Sequence, residues 1–226
     1  MIGNTPYTKP TKKFDVKFYI FDIHSDLGSY LSCEEKYSLL KKYSLLSVPQ
    51  LGCYPSNDYK ALEVIILKLN KQKKEGFVLK SPDRSQVVKY VTSFSDIEDI
   101  ATTSKVFFDM PIGFYYQRIL RSAIFADDFS LNKKTLAAAL GAAFYNGLSE
   151  AVSAAKEGKE ISEEFEISIK NPRIWDELHH HMSKEVSLVL LSKTTKNGST
   201  NIRFKKIYKN TTKILTAYVN GKGIVD

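Results

Sequence analysis

Residues 75–93, EGFVLKSPDRSQVVKYVTS, read as two apolar strands joined by a Pro-Asp turn, with Lys80 and Lys89 inside the strands and Glu75 at their mouth. An ammonium drawn out of water needs a counter-charge, so a lysine in a buried strand normally pairs with a carboxylate or serves an anionic ligand. For one such lysine, snorkelling to a strand edge is the simpler account. Two in one hairpin, with Glu75 beside them and Phe21-Asp22 in another strand, point to a phosphate-bearing ligand with a metal. A nucleotide fits, because the Phe21 ring can stack on a base. In an ideal strand Glu75 and Lys80 have opposite parity and face opposite sides, so Glu75 is expected at an irregular strand entry, which Gly76 would permit.

Other residues with chemical potential converge less well. His179, His180 and His181 are consecutive on an expected helix, where neighbours point about 100° apart and cannot share one ion. His24 stands alone and reads as a structural side chain. Cys33 and Cys53 are the only cysteines, with no spacing for a zinc site or a disulfide framework. No Gly-rich phosphate loop and no serine-nucleophile elbow occur. Lys9 to Lys13 and Lys71 to Lys74 read first as solvated basic faces, although their nearness to the lysine-bearing strands favours nucleic acid. RFKKIYK, from Arg203, is an amphipathic strand by default and otherwise a phosphate-contact strip.

These side chains must be held by elements that the sequence also marks. The first 16 residues read as a loop, and KFYIFDIH is an aromatic and β-branched run expected to be a strand covered on both faces. Ser32 and Glu35 form a capping box opening a helix that carries Leu39, Leu40, Tyr43 and Leu46. A short strand is expected near residues 48–53. Ser56 or Asn57 then caps a helix with Tyr59, Leu62, Ile65, Ile66 and Leu69 at helical spacing. Strands alternating with helices over residues 17–92 mark an α/β unit.

Beyond Phe94 the pattern becomes helical. Tyr115, Tyr116, Ile119, Leu120, Ala123 and Ile124 form a wide apolar stripe, with Arg118, Arg121 and Ser122 towards the other side. A second helix carries Leu136, Leu140, Phe144, Leu148 and Val152 among many alanines, small enough for another helix to approach, either within one subunit or between two. The last part reads strand, helix, strand, strand, helix. EFEISIK opens it; Asn171 caps a helix with Pro172 at its first position, running to about Lys184. VSLVLLSK and NIRFKKIY flank the turn KNGS, and a helix from Thr211 to Asn220 stops at Gly221.

The composition is that of a globular chain: 226 residues, 43% hydrophobic, 12% aromatic. Its formal charge of +8, from 33 Lys plus Arg against 25 Asp plus Glu, is spread along the chain and favours polyanionic partners. No apolar run approaches the ~20 residues needed to span a bilayer, and no signal-peptide pattern opens the chain. A soluble, cytoplasmic protein without membrane association is expected.

FYIFDI, EGFVLK and VVKYV, in that order, resemble motifs IIIa, IV and V of the covalent nucleotidyltransferases, which include ATP-dependent DNA and RNA ligases and RNA capping enzymes. GNTPYT before the first strand, FFDMPIGFYYQRILR, EEFEISIK and the terminal GKGIVD make the likeness closest to the archaeal ATP-dependent RNA ligase family, over essentially the whole chain. The resemblance implies an α+β fold in three parts: residues 1–94 as the C-terminal part of an adenylyltransferase domain, 95–160 as a helical dimerisation region, and 161–226 as a small α+β C-terminal domain. It implies that Phe21 stacks on adenine, that Glu75 serves the Mg²⁺ and nucleotide site, and that Lys80 and Lys89 contact the α-phosphate. ATP and Mg²⁺ would be the cofactors, RNA ends the partners, and a homodimer the assembly.

One feature departs from that family. Its ligases attack ATP with a lysine in a Lys-x-Asp-Gly motif, which this sequence lacks; Lys196-Asn197-Gly198 is a hairpin turn by its Asn-Gly pair. The motif III glutamate would fall just before Ile2. Met1 therefore reads as starting within a domain, and the chain alone is expected not to activate ATP. Truncation is the favoured origin. A split enzyme with a separate N-terminal half, and a relic kept for dimerisation or RNA binding, are the alternatives. The leading expectation is a portion of an RNA ligase joining 5′-phosphate and 3′-hydroxyl ends through adenylate intermediates; the second is a non-catalytic dimeric RNA-binding protein. A DNA ligase or capping relative is disfavoured, because the segments after Phe94 do not look like an oligonucleotide-binding domain.

Overall fold

The computed structural model describes residues 18–25, 28–55, 57–82, 84–183 and 186–223, so KPTKK, GNTPYT and the end of GKGIVD lie outside the described residues. Its class is α+β. Two compact units divide it, one within residues 13–95 with 127–130, the other within 96–126 and 131–226.

In the first unit, β1 (Tyr19–Ile20) runs parallel to β2 (Leu46–Ser47), with α1 (Cys33–Lys42) as the crossover between them. The capping box is as expected: Glu35 N–H donates to Ser32 Oγ at 3.2 Å and Ser32 N–H to Glu35 Oε2 at 2.9 Å. α2 (Tyr59–Lys71) is capped by Asp58, whose Oδ1 accepts from Ala61 N–H at 3.1 Å, rather than by Asn57; Ser56 is outside the described residues. β3 (Gly76–Lys80) and β4 (Val87–Val91) form the antiparallel hairpin, against which α2 lies through β3.

Two strand expectations are corrected here. The run 17–24 contributes only Tyr19–Ile20 to a ladder, with Phe18 and Phe21 exposed, and the strand placed near 48–53 falls at Leu46–Ser47. Aromatic and β-branched composition marks residues that fit a pleated surface, but ladder length is set by the neighbour, and here each strand has a two-residue partner among the described residues. His24 bridges instead to Tyr30, the two rings edge-on at 4.9 Å.

The second unit begins inside α3 (Ser93–Thr103), which leads through a 3₁₀ helix (Ser104–Asp109) to α4 (Ile112–Asp128) and α5 (Lys133–Lys156). α3 was not foreseen; Thr92 Oγ1 accepts Ser95 N–H at 3.3 Å at its start, and Ile97 and Ile100 carry its apolar face. Ile100, Tyr115 and Ala143 form a small core with Phe107 and Phe144, where the Tyr115 hydroxyl donates to Thr103 O at 2.9 Å.

α4 buries Tyr115 of the expected stripe but turns most of the rest of that stripe outward. Tyr115, Ser122, Phe125 and Ala126 are buried, while Ile112, Tyr116, Leu120 and Ile124 are exposed. The polar side faces inward because α3 supplies its partners: Arg118 pairs with Asp99 at 2.7 Å and Arg121 with the buried Asp96. Burial raises the Asp96 carboxyl against the pull of Arg121, whose own guanidinium is raised by its hydrogen bond to Asp96. The small residues of α5 serve packing within the chain. Ala143, Gly147, Ala151 and Ala155 recur every fourth residue on its buried side, and a Cβ at Gly147 would stand 2.8 Å from the Lys105 backbone nitrogen.

β5 (Ser162–Ile169), α6 (Arg173–Met182), β6 (Ser187–Lys196), β7 (Ser199–Ile207) and α7 (Lys209–Val219) complete the chain, with sheet order β5-β7-β6, antiparallel throughout. Asn197 and Gly198 both have positive φ, 52° and 71°, as a two-residue Asn-Gly hairpin requires. Ile167, Ile169, Trp175, Leu188, Ile202, Phe204 and Leu215 share one core with Val106, Ala151 and Ala155 of the helical region. Asp109 ties the two ends together, its carboxylate accepting the Asn210 and Thr211 N–H groups at 3.2 and 2.8 Å at the start of α7.

Candidate nucleotide-binding site

The site is built on the hairpin. Val78 lies directly opposite Lys89, and Lys80 opposite Val87. Opposed residues share a face and so do residues two apart on one strand, so Lys80 and Lys89 project to the same side. Glu75 joins them: β3 starts at Gly76, whose φ of 150° turns the preceding residue out of strand parity, and Glu75 Oε1 meets Lys89 Nζ at 2.5 Å. A Cβ at Gly76 would lie 2.0 Å from the Tyr90 carbonyl oxygen, so this entry requires glycine.

Phe21-Asp22 comes to Lys80 from the end of β1. The Asp22 carboxylate contacts Lys80 Nζ through Oδ2, and Arg84 Nη2 stands 3.5 Å from its Oδ1. Behind them Lys36 Nζ donates to the Phe21 carbonyl at 3.0 Å. Two of these cations, Lys80 and Arg84, face the Asp22 carboxylate, and the third, Lys36, faces a backbone carbonyl. The Phe21 ring is 64% exposed, open to a planar partner.

The lysines are less buried than the apolar strands suggested: the side chain of Lys80 is 20% exposed and that of Lys89 57%. Val78, Leu79, Val87 and Val88 are exposed as well, because the hairpin is a two-stranded sheet among the described residues, whose half-buried positions are its base, Gly76, Phe77, Tyr90 and Val91, and Lys80. Phe77 and Tyr90 stack at 6.1 Å on the face opposite the lysines, and the Tyr90 hydroxyl donates to Asp128 Oδ2 at 2.8 Å. Burial, then that hydrogen bond and the Asp128 charge, push the Tyr90 phenol up to about 12.

Lys36 and Arg84 were not singled out from the sequence. The signal for Lys36 was its position one helical turn before Leu40, on the side that α1 buries. Arg84 sits in the hairpin turn at a positive φ of 62°, which no local pattern announces. The other candidates stay apart from the site. The histidines of α6 end that helix, His179 against Trp175 at 5.8 Å, and no group of three potential metal ligands occurs among the described residues. In RFKKIYK the alternation is that of an amphipathic strand: Phe204 is buried, while Arg203 and Lys205 are occupied by Glu164 at 2.5 Å and Glu160 at 3.2 Å.

Comparison with known proteins bears on the whole chain. Residues 102–222 match the family described as the Ligase Pab1020 C-terminal region, and residues 1–91 match the RNA ligase family. The chain belongs to the archaeal ATP-dependent RNA ligase family. An archaeal ATP-dependent RNA ligase, solved in two forms, superposes with a TM-score of 0.78 at 25% identity, over 92% of this chain and 56% of that one. A candidate ATP-dependent DNA ligase of Aquifex aeolicus superposes with a TM-score of 0.83 at 27% identity, over 98% of this chain and 62% of that one. An uncharacterized protein of Methanocaldococcus jannaschii is 30% identical over 239 residues, covering 98% of this chain and 60% of its own length. This RNA ligase family member thus spans less than two thirds of the relatives it matches. Among its described residues no helix is long and apolar enough to cross a membrane.

Proposed function

We propose that the chain is the portion of an ATP-dependent RNA ligase that holds the nucleotide phosphate, and that RNA ends carrying a 5′-phosphate and a 3′-hydroxyl are its substrates. The observation that carries this reading is the shared face of Lys80 and Lys89, onto which Glu75 is turned and to which Phe21-Asp22 is tied through Lys80. Phosphoryl transfer places negative charge on non-bridging oxygens, and fixed ammonium groups stabilise it. Lys80 and Lys89 take that role at the α-phosphate, and Phe21 stacks on adenine.

Magnesium fits the donor set only with the nucleotide present. Glu75 is an exposed carboxylate that belongs to no group of three potential protein ligands among the described residues, and Mg²⁺ characteristically takes one or two carboxylates with phosphate oxygens and water. The ion supplies charge neutralisation at the phosphates. Glu75 would hold the ion once freed from Lys89, and Lys89 would then be free for a phosphate oxygen.

The attacking lysine of these ligases belongs to a Lys-x-Asp-Gly motif absent from the 226 residues. We assign it to a segment outside them, as a separate N-terminal half or an upstream part of the same protein. Residues 1–94 then serve the nucleotide, 95–160 dimerisation and 161–226 a C-terminal role, although the last two share a core and fold together. The outward apolar stripe of α4 supports a homodimer. A cytoplasmic setting suits such a ligase.

The deciding experiment incubates the chain with Mg²⁺ and ATP labelled on the α-phosphate, alone and with a segment carrying the motif. Label on protein only when that segment is supplied is the expected result. A second reading, a non-catalytic dimeric RNA-binding protein, is favoured by the missing motif; RNA binding without labelling under either condition would select it.

A further inference from the structure

Lys36 is the most buried lysine among the described residues of its unit, 4% exposed, and its ammonium is satisfied by the Phe21 carbonyl at 3.0 Å and the Tyr37 ring at 4.7 Å. A buried ammonium with no carboxylate among these partners is costly, whereas a methionine of similar volume would fill the same space without that cost. Something other than packing has to account for the amine. Its acceptor is the backbone of the residue whose ring is open to a base, one position before the carboxylate that holds Lys80.

Backbone bonds hold the segment on either side, Val48 N–H to the Ile20 carbonyl at 3.3 Å and Leu31 N–H to the Ile23 carbonyl at 3.0 Å, but at the Phe21 carbonyl itself the partner is Lys36. Asp22 Oδ1 and Arg84 Nε are both buried without a hydrogen-bond partner, and Arg84, its side chain 7% exposed, reaches Asp22 only at 3.5 Å. β1 adds two residues of ladder and ends at Ile20. The Phe21 carbonyl is therefore fixed by a side chain where a strand would have used a backbone amide.

Resting on the nucleotide reading above, we infer that Lys36 is a positioning residue: from the buried side of α1 it clamps the Phe21 carbonyl and so sets the presentation of the Phe21 ring to adenine and of Asp22 to Lys80. It does not touch the phosphate. Its loss should thus weaken a ligand that has only the base and sugar as much as one that also has phosphates.

The test compares adenosine and ATP binding to the full chain by ligand-observed NMR, which registers weak complexes, in wild type, Lys36→Met, Lys36→Arg and Lys80→Ala. Lys36→Met should weaken adenosine and ATP by the same factor, on the order of tenfold for one buried charge-assisted hydrogen bond. Lys36→Arg, which keeps a donor, should recover most of it, and Lys80→Ala should weaken ATP alone. Unfolding midpoints measured in parallel separate loss of fold from loss of affinity; if Lys36→Met does not fold, a folded Lys36→Arg that binds like wild type supports the clamp and one that does not overturns it. Lys36→Met with unchanged adenosine affinity overturns the inference. A wild-type chain that binds neither ligand overturns the nucleotide reading and the inference with it.

Discussion

Glu75 and Lys89 meet at 2.5 Å on the face of the hairpin that Lys80 also occupies, although strand parity counted from Lys80 would send Glu75 to the opposite side. Gly76 resolves the conflict by leaving strand geometry for one residue. On the proposed nucleotide reading the pair is a resting state, in which a phosphate would compete for Lys89 and a cation for Glu75.

Lys80→Ala and Lys89→Ala should each lower affinity for Mg²⁺–ATP by roughly tenfold to a hundredfold, the range for a lost hydrogen bond to a charged group. Glu75→Gln should lower it in the presence of Mg²⁺ and raise it slightly without the metal, because Lys89 is then released. Equal ATP binding by wild type and a Lys80→Ala, Lys89→Ala double variant would remove both residues from the site.

Gly76→Ala should destabilise the first unit by about 1–3 kcal/mol or more, since it forces a residue with a Cβ into a glycine conformation and against the Tyr90 carbonyl. Urea unfolding measures it. An alanine variant as stable as wild type would mean that the strand entry can straighten, and Glu75 should then leave Lys89.

Tyr90 should remain protonated well past the ordinary phenol value of 10.0, titrating near 12. The sign follows from burial and the Asp128 carboxylate, which both disfavour the phenolate. Below pH about 10 the contribution of this group to stability is complete; as pH rises towards 12 the unfolded chain ionises first and the contribution is lost. The difference between the ultraviolet titrations of wild type and Tyr90→Phe isolates it. Asp128→Asn should bring the value down part of the way, leaving the share due to burial.

Leu120→Glu together with Ile124→Glu should convert the proposed dimer to a monomer without unfolding it, because both side chains are already in water in the single chain. Light scattering would read twice 25.6 kDa for wild type and 25.6 kDa for the variant. A monomeric wild type would assign the α4 stripe to another partner.

What the sequence made legible was local. The capping box at Ser32, the Asn-Gly turn, the alternation in β5 and β7 and the glycine before the hairpin each rest on chemistry within a few residues. The outward turn of most of the α4 stripe was not legible, because nothing in the local pattern shows that α3 brings Asp99 and Asp96 to Arg118 and Arg121. The same holds within the site. Lys80 and Lys89 could be picked out as lysines among apolar neighbours, yet their exposure depends on how many strands the sheet has, and Lys36 matters through a carbonyl 15 residues away that no side-chain pattern encodes.

The Asp109 carboxylate closes the start of α7 from more than a hundred residues earlier in the chain. During synthesis α7 therefore leaves the ribosome about a hundred residues after the side chain that caps it. A C-terminal fragment starting at residue 161 would lack that cap, along with the Val106, Ala151 and Ala155 side of its core. Protection of α7 amides from exchange becomes a gauge of the entire second unit, since the helix is whole only when residues from both ends of that unit have come together.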